Sequence, residues 1–328
     1  MTGTLLIPSS VIRRLLGMRE CIDAVERAFL AQASGNVVQP RITGSPVLHG
    51  GFHVKTCGLL DPPVFAAKIN ANFPGNRGRH GLPTVQGVVA LFDAERGSLL
   101  ALLDSGEITR LRTAAASAVA ARYLAREDAR TLTICGCGVQ GRAHLESLAL
   151  VRRFDTVLAY DIDRDAARRF ASEMSAQLGL DVRESESLSR GTRQSDVVVM
   201  CTTSREILLR CDDVKEGTFI AAVGADSEDK RELDPQLVAR SRVIVDDLQQ
   251  CAAMGELHHA LDAGLVSASH VAADLAAVVA GRVAGRQNER EITIFDSTGT
   301  ALEDVAAAAL VFDRAAGAED AVSIELSG

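Results

Sequence analysis

The spacing of apolar residues changes near residue 130 of this chain of 328 residues. Beyond that point, short runs rich in β-branched residues alternate with stretches of helical periodicity. Alternation of this kind requires crossover connections, which join parallel strands within one sheet. Residues 119–300 are therefore predicted to form an α/β domain with a doubly wound, mostly parallel sheet. Its predicted strands are 131–135, 156–160, 181–183, 197–201, 218–223, 243–246 and 292–295.

Residues 1–118 have a different pattern, in which an amphipathic helix at 18–32 is followed by strand-like pieces separated by Gly and Pro. Such pieces are typical of a largely antiparallel sheet. A capping box starting at Asp104 predicts a helix that runs to residue 124. We expect a second, α+β domain at 1–118, completed by 301–328. Its predicted strands are 51–57, 64–70, 87–93 and 99–103, and an Ala-rich helix is predicted at 300–315.

A G-x-G-x-x-G segment follows the first predicted strand of the α/β domain and opens a helical pattern. The next strand ends on an acidic residue, about 20 residues beyond the last glycine. In this context the segment is a dinucleotide-binding fingerprint of a Rossmann domain. Its glycines let backbone N–H groups approach a pyrophosphate at the helix N-terminus. The candidate cofactor-binding residues are Gly136, Gly138, Val139, Gln140, Gly141 and Asp161.

Asp161 bears on the choice of cofactor. A carboxylate at this place accepts hydrogen bonds from both hydroxyls of the adenosine ribose and repels a 2′-phosphate, so NAD is favoured over NADP. Arg164 is a nearby cation that could accommodate such a phosphate. Ligands of these sheets bind beyond the carboxyl ends of the strands. Thr202, Thr203 and Val223 are therefore expected near the nicotinamide half.

Composition excludes several classes of function. The net charge of −8 and the scarcity of aromatic residues argue against a nucleic-acid partner. No apolar run has the roughly 18 residues that a membrane span needs. Seven cysteines suit a reducing compartment better than a disulfide framework, so we expect a cytoplasmic protein. Cys135 and Cys137 form a single C-x-C without a second pair at zinc spacing, and no metal is expected.

Several segments together resemble the ornithine cyclodeaminase/mu-crystallin family, and the resemblance covers nearly the whole chain. It implies an NAD(P)-dependent enzyme that acts on the Cα–N bond of a small α-amino or imino acid. It also implies a homodimer whose N-terminal domains pair, which would make 1–118 the substrate-binding and dimerisation domain. The segments are Pro40-Arg41, AAKINANFPGN at 66–76, GLPTVQG at 81–87, TRLRTAAAS at 109–117, AVGADSEDK at 222–230 and Ser297-Thr298-Gly299.

The resemblance also implies roles for single residues. Arg41 and Arg112 match carboxylate-binding arginines, and a guanidinium offers a carboxylate two parallel charged hydrogen bonds. Lys68 would contact the substrate carboxylate or the reacting carbonyl or imine centre, and Asp226 would lie beside the substrate amine as a general acid/base. Each has a plainer alternative: a solvated helix face for Arg112, a lysine snorkelling from a half-exposed strand for Lys68, and a turn residue for Asp226. Lys230 and Ser297 match substrate-side positions, Ser297 and Arg112 are also placed near the cofactor, and Thr84 matches a cofactor-contacting threonine.

One departure from the family pattern affects the expected reaction. Ornithine cyclodeaminases carry a glutamate after the first substrate-domain strands, which binds the side-chain amine. The corresponding segment here, 51–57, has no acid and instead contains His53 and Lys55. Lys55 would repel a second ammonium and suits a carboxylate or a phosphate-like group.

The expected function is therefore hydride transfer to or from the α-carbon, as in a ketimine reductase or an alanine dehydrogenase. An NAD-dependent cyclodeaminase is the alternative. A non-enzymatic ligand-binding protein ranks last, because Arg41, Lys68, Arg112 and Asp226 are all present.

Overall fold

The structure is a computed structural model that describes residues 3–315 and 322–326. It divides into two compact units, unit 1 with Met1–Arg112 and Thr300–Gly328, and unit 2 with Thr113–Gly299. The sequence analysis placed these breaks a few residues later along the chain. The expected completion of the first domain by 301–328 runs partly outside the described residues, at 316–321 and 327–328.

Unit 1 contains a seven-stranded sheet in the order β15-β1-β6-β5-β4-β3-β2. The strands β2 to β6 form an antiparallel meander, whereas β1 is parallel to β6. The elements are β1 (Thr4–Ile7), α1 (Ser9–Leu15), α2 (Met18–Ala33), β2 (Val37–Val47), β3 (Gly50–Leu60), β4 (Pro63–Asn72), α3 (Asn76–His80), β5 (Val85–Asp93), β6 (Leu99–Asp104), the first part of α4 (Ser105–Leu124), α12 (Ala301–Ala315) and β15 (Val322–Ile324).

The two faces of this sheet differ in what covers them. Helix α12 packs across β3, β4 and β5, and the strand residues on that face, such as Ala66 and Leu91, are buried. Because successive side chains of a strand alternate between faces, the other face receives Phe52 and Ile69. These remain 40% and 43% exposed. Unit 1 therefore has a partly exposed apolar sheet face.

Unit 2 is an eight-stranded, all-parallel sheet in the order β13-β12-β14-β11-β10-β7-β8-β9, which confirms the predicted doubly wound fold. The strand order reverses between β7 and β10. The elements are β7 (Thr131–Cys135), α5 (Val139–Ala149), β8 (Thr156–Tyr160), α6 (Arg164–Leu178), β9 (Val182–Glu184), α7 (Leu188–Thr192), β10 (Val197–Met200), β11 (Phe219–Ala222), α8 (Pro235–Ala239), β12 (Arg242–Val245), α9 (Leu248–Met254), α10 (Glu256–Asp262), β13 (Val271–Asp274), α11 (Leu275–Val279) and β14 (Thr293–Asp296).

Four strands of the structure were not predicted: β1, β2, β13 and β15. Strand β2 lies at an edge of its sheet and contains Pro40 and Pro46, which interrupt a strand pattern but are tolerated at an edge. Strands β1, β13 and β15 have only three or four residues each. Within the described residues, no helix has both the length and the apolar character needed to cross a bilayer.

Candidate active site

The glycine turn of unit 2 has the geometry that a dinucleotide requires. Gly136 has φ of +104°, a conformation that favours glycine. A Cβ on Gly141 would lie 2.1 Å from the carbonyl oxygen of Gly136, so helix α5 packs directly against the turn. Gly138 is the N-cap of α5, and a Cβ there would meet nothing within 4 Å. The N-terminus of α5 is therefore open to a pyrophosphate, which fits an NAD cofactor.

Asp161 is oriented by backbone hydrogen bonds at the carboxyl end of β8. Its Oδ2 accepts the N–H of Cys137 at 2.8 Å, and its Oδ1 accepts the N–H of Asp163 at 3.0 Å. The first bond ties the carboxylate to the glycine turn. Because each carboxylate oxygen has a second lone pair, Asp161 can still accept hydrogen bonds from two ribose hydroxyls.

The residues predicted near the nicotinamide lie beyond three adjacent strands, β10, β11 and β14. The N–H of Thr202 donates to Glu232 Oε1 at 2.8 Å. Ser297 is buried, and its hydroxyl donates to Asp246 Oδ2 at 2.9 Å. Val223 follows β11 and is half-buried, whereas Thr203 is exposed.

A row of buried carboxylates braces these strand ends, and the sequence analysis did not find it. Burial raises the pKa of Glu232 to about 7, although hydrogen bonds to Thr202 oppose the shift. Glu256 accepts the backbone N–H of Glu232 at 2.7 Å, and Asp296 accepts that of Glu256 at 3.1 Å. Burial raises the pKa of Glu256 as well, and that of Asp296 to about 7. The row connects the loops that follow β11, β12 and β14.

Asp226 lies in the loop after β11, and its side chain is 49% exposed. It forms an ion pair with Lys230, four residues further along the same loop. The carbonyl oxygen of Lys230 lies 2.8 Å from Nε2 of His259, which anchors the loop to α10. Asp226 and Lys230 are thus in direct contact, as two residues of one site would be.

In unit 1, Lys68 is buried in β4 and is 2% exposed. Its Nζ lies 2.7 Å from Oδ1 and 2.6 Å from Oδ2 of Asp304 in α12. It also lies 3.4 Å from the hydroxyl of Thr109 in α4. The lysine therefore does not snorkel to solvent, since an ion pair beneath the sheet holds its amine.

Arg112 in α4 completes this arrangement. Its Nη1 lies 2.6 Å from Glu303 Oε2 and its Nε lies 2.9 Å from Asp304 Oδ1, and all three side chains are buried. The alternative of a solvated helix face for Arg112 is thereby excluded. We call Lys55, Lys68, Arg112, Glu303 and Asp304 the Lys68 cluster. Its two acids were not predicted, and their signal was an adjacent acidic pair in an otherwise apolar, Ala-rich helix.

The electrostatics of the cluster set the protonation of Lys68. Burial lowers the pKa of Lys68 to about 7, helped by the positive charges of Arg112 and Lys55 and opposed by Asp304. Burial alone would raise the pKa of Asp304, but Arg112, Lys68 and Lys55 outweigh it and lower that pKa. Lys55 stands directly opposite Lys68 in the register of β3 and β4. Near neutral pH, Lys68 can therefore both donate and accept a proton.

Two further predicted residues lie elsewhere in unit 1. Arg41 is exposed in β2 and paired in register with Thr56, and within the described residues it forms no hydrogen bond or ion pair with the Lys68 cluster. Thr84 is half-buried just before β5, and its carbonyl oxygen accepts the N–H of Phe73 at 2.8 Å. Their expected roles remain predictions.

The described residues hold no group of three or more His, Cys, Asp or Glu side chains that is arranged to bind a metal ion. The seven cysteines all lie in the described part of the chain and all are free thiols.

Comparison with known proteins identifies the family. A sequence profile of the ornithine cyclodeaminase/mu-crystallin family matches residues 4–319. The chain belongs to this family. It is 36% identical to an alanine dehydrogenase of Archaeoglobus fulgidus over 313 residues, 95% of each chain. The family predicted from the sequence is thereby confirmed.

Two solved structures of family members are similar over nearly their whole length. One is a Thermococcus litoralis Δ1-pyrroline-2-carboxylate reductase in complex with NADH and L-proline, with 36% identity, a TM-score of 0.94, and coverage of 98% of this chain and all of that one. The other is an archaeal alanine dehydrogenase dimer with bound NAD, with 34% identity, a TM-score of 0.95, and coverage of 99% of this chain and all of that one.

Proposed function

We propose that this protein is an NAD-dependent oxidoreductase that transfers hydride to or from the α-carbon of a small α-amino or imino acid. The observation that supports this best is the buried Lys68, an amine with a pKa of about 7 in a cluster of charged residues. A lysine tuned in this way is typical of a group that moves protons near neutral pH. In unit 2, the glycine turn suits the pyrophosphate of NAD and Asp161 suits its adenosine ribose.

In the proposed reaction the cofactor supplies the hydride, and residues of unit 2 bind the cofactor. Bound NADH supplies the hydride that the α-carbon of an imine accepts. The backbone N–H groups at the start of α5 would hold the pyrophosphate, and Asp161 the adenosine ribose. Thr202, Val223 and Ser297, at the strand ends, are assigned to the nicotinamide side.

The protein must place one proton on the substrate nitrogen for each hydride that the carbon receives. We assign the donor to Lys68, because its amine is protonated and deprotonated in comparable amounts near pH 7. In the oxidative direction, the neutral amine of Lys68 removes a proton from the ammonium of the amino acid. Asp304 holds Nζ in place through both steps.

The remaining charged groups bind the substrate. Lys55 and Arg112 supply positive charge for the α-carboxylate, with Arg112 fixed in position by Glu303 and Asp304. Asp226 would hold the substrate nitrogen, and its ion pair with Lys230 would hold the carboxylate in position. Arg41 is assigned to the substrate by family resemblance alone.

The lack of an acid at 51–57 disfavours the cyclodeaminase alternative. Lys55 lies on the same sheet face as Lys68, in direct register with it. A diamino acid would bring a second ammonium to a place that already has two lysines, and like charges at such distances repel.

We also propose that two copies pair through the apolar sheet face of unit 1. The exposed side chains on this face extend over three strands, β2, β3 and β4, whereas exposed apolar residues on an ordinary surface are scattered singly. A second copy would cover it with the same apolar face. The members of this face are Val38, Val47, Phe52, Leu60 and Ile69.

The free thiols further suit a reducing compartment, and we place the protein in the cytoplasm.

The proposed reaction is tested by following NADH oxidation with pyruvate plus ammonia and with Δ1-pyrroline-2-carboxylate. We expect net consumption of NADH with at least one of them. Lys68→Met should lower turnover by about two to four orders of magnitude, the usual contribution of general acid/base catalysis. NADH binding, measured by fluorescence, should be unchanged. Conversion of ornithine with release of ammonia but without net NADH consumption would instead establish a cyclodeaminase.

A further inference from the structure

The start of helix α6 carries arginines close to Asp161, the acid that would hold the adenosine ribose. We propose that Glu184 contributes to the selection of NAD over NADP by holding the two arginines that would otherwise meet a 2′-phosphate beside Asp161. The inference rests on the proposed function, since it concerns the dinucleotide that unit 2 binds. Sequence alone made Arg164 a candidate partner for that phosphate.

Arg164 and Arg168 both form ion pairs with the carboxylate of Glu184. Arg164 is the first residue of α6, three positions after Asp161, and its Nε lies 2.7 Å from Glu184 Oε1. The Nε of Arg168, one turn further along α6, lies 3.0 Å from Glu184 Oε2. Glu184 is the last residue of β9 and pairs in register with Ala159, near the end of β8. Glu184, in the strand next to β8, thus binds the guanidinium groups of both arginines.

Other charged residues near Asp161 also disfavour a 2′-phosphate. Arg168 Nη1 lies 2.9 Å from Asp165 Oδ1, and Arg169 Nη2 lies 3.6 Å from Asp163 Oδ2. A 2′-phosphate carries a charge of roughly −1.5 to −2 at neutral pH and would enter a set of groups with an excess of negative charge. That set has four carboxylates, Asp161, Asp163, Asp165 and Glu184, against three guanidinium groups, Arg164, Arg168 and Arg169.

Glu184 remains ionised in this setting, because the hydrogen bond from Arg164 lowers its pKa. The same bond raises the pKa of Arg164. The side chain of Arg164 is 61% exposed, so the pair is weakened by solvent and by salt. Loss of Glu184 should therefore change the balance between the two dinucleotides by a moderate factor.

The test measures the dissociation constants of NADH and NADPH by fluorescence titration of the full-length protein. In Glu184→Gln, we expect NADPH affinity to rise by about fivefold while NADH affinity stays within about twofold. Adding Arg164→Ala to this variant should cancel the gain, because the released arginine provides it. Glu216→Gln is the matched control. It removes the same charge from an exposed ion pair with Arg290, at 2.7 and 2.8 Å, just before β11.

The outcomes separate the two proposals. An unaltered protein that binds neither dinucleotide contradicts the proposed function. If NADH binds normally but NADPH affinity does not change in Glu184→Gln, the inference about Glu184 alone is wrong. The inference also fails if Glu216→Gln gives the same rise, since the effect would then reflect net charge.

Discussion

At the scale of single residues, the burial of Lys68 predicts an opposite pH dependence for the two directions of the reaction. Imine reduction needs the protonated amine, so kcat/KM should be high below pH 7 and fall as pH rises through about 7. Amino acid oxidation needs the neutral amine, so kcat/KM should rise through the same range. Glu232 also has a pKa of about 7. The profiles should therefore be repeated in Glu232→Gln, and a limb that disappears there does not belong to Lys68.

The charge of Lys55 should lower the pKa of Lys68. Its positive charge lies opposite Lys68 and favours loss of the Lys68 proton. In Lys55→Met, the pKa of Lys68 should rise, and the falling limb of the reductive profile should move to higher pH by about one unit. Lys55→Arg keeps the charge and should leave the limb in place. An unmoved limb in Lys55→Met would mean that Lys55 acts on substrate binding only, and KM would then change without the profile.

The sequence analysis proposed Lys68 and Arg112 as site residues but did not find the acids that hold them. Glu303 and Asp304 lie about 190 to 240 residues further along the chain, and no local pattern relates such distant positions. The pairing is a property of the folded unit, in which α12 lies across the strand that contains Lys68. Arg41 is the reverse case, since the family motif marked it although the structure leaves it outside the cluster.

At the scale of elements, α12 is a helix whose first turn places two buried acids against two buried cations. In Asp304→Asn, Lys68 and Arg112 would lose a counter-charge although both side chains are buried. The free energy of unfolding should therefore fall by about 3 kcal/mol. Asp313→Asn is the control, because Asp313 lies exposed on the same helix and its loss should change stability little. Urea unfolding of both variants measures the difference, and equal stabilities would show that the ion pairs contribute nothing net.

Elements with strong periodicity were predicted well, and those without it were not. The seven strands predicted for unit 2 are present. Central strands such as β10 and β11 are buried on both faces and therefore appear as continuous apolar runs. Strand β2 was missed because its prolines and exposed residues break the alternation. Strand β13 was missed because its four residues, Val271–Asp274, include two alanines and only one β-branched residue.

At the scale of the whole molecule, the sequence predicted that the chain returns to its first domain after the last strand of the second. The structure assigns Thr300–Gly328 to unit 1, and α12 supplies both acids of the Lys68 cluster. The break at Arg112 falls within α4, which has no local signal of a domain boundary because it continues as one helix. A periodic pattern identifies a helix but not which compact unit each of its turns joins.

The apolar sheet face of unit 1 predicts how the protein associates. If two copies pair there, a charge on that face must either be buried at high cost or prevent pairing. Phe52→Glu and Ile69→Glu are each expected to turn a dimer into a monomer, as measured by sedimentation velocity at micromolar concentration. Both side chains are already 40% exposed or more in the single chain, so each variant should still fold. Leu265→Glu is the control, because Leu265 is 47% exposed in unit 2 and lies outside this face. If both variants sediment as the unaltered dimer does, a different surface pairs the chains, and the apolar face needs another partner.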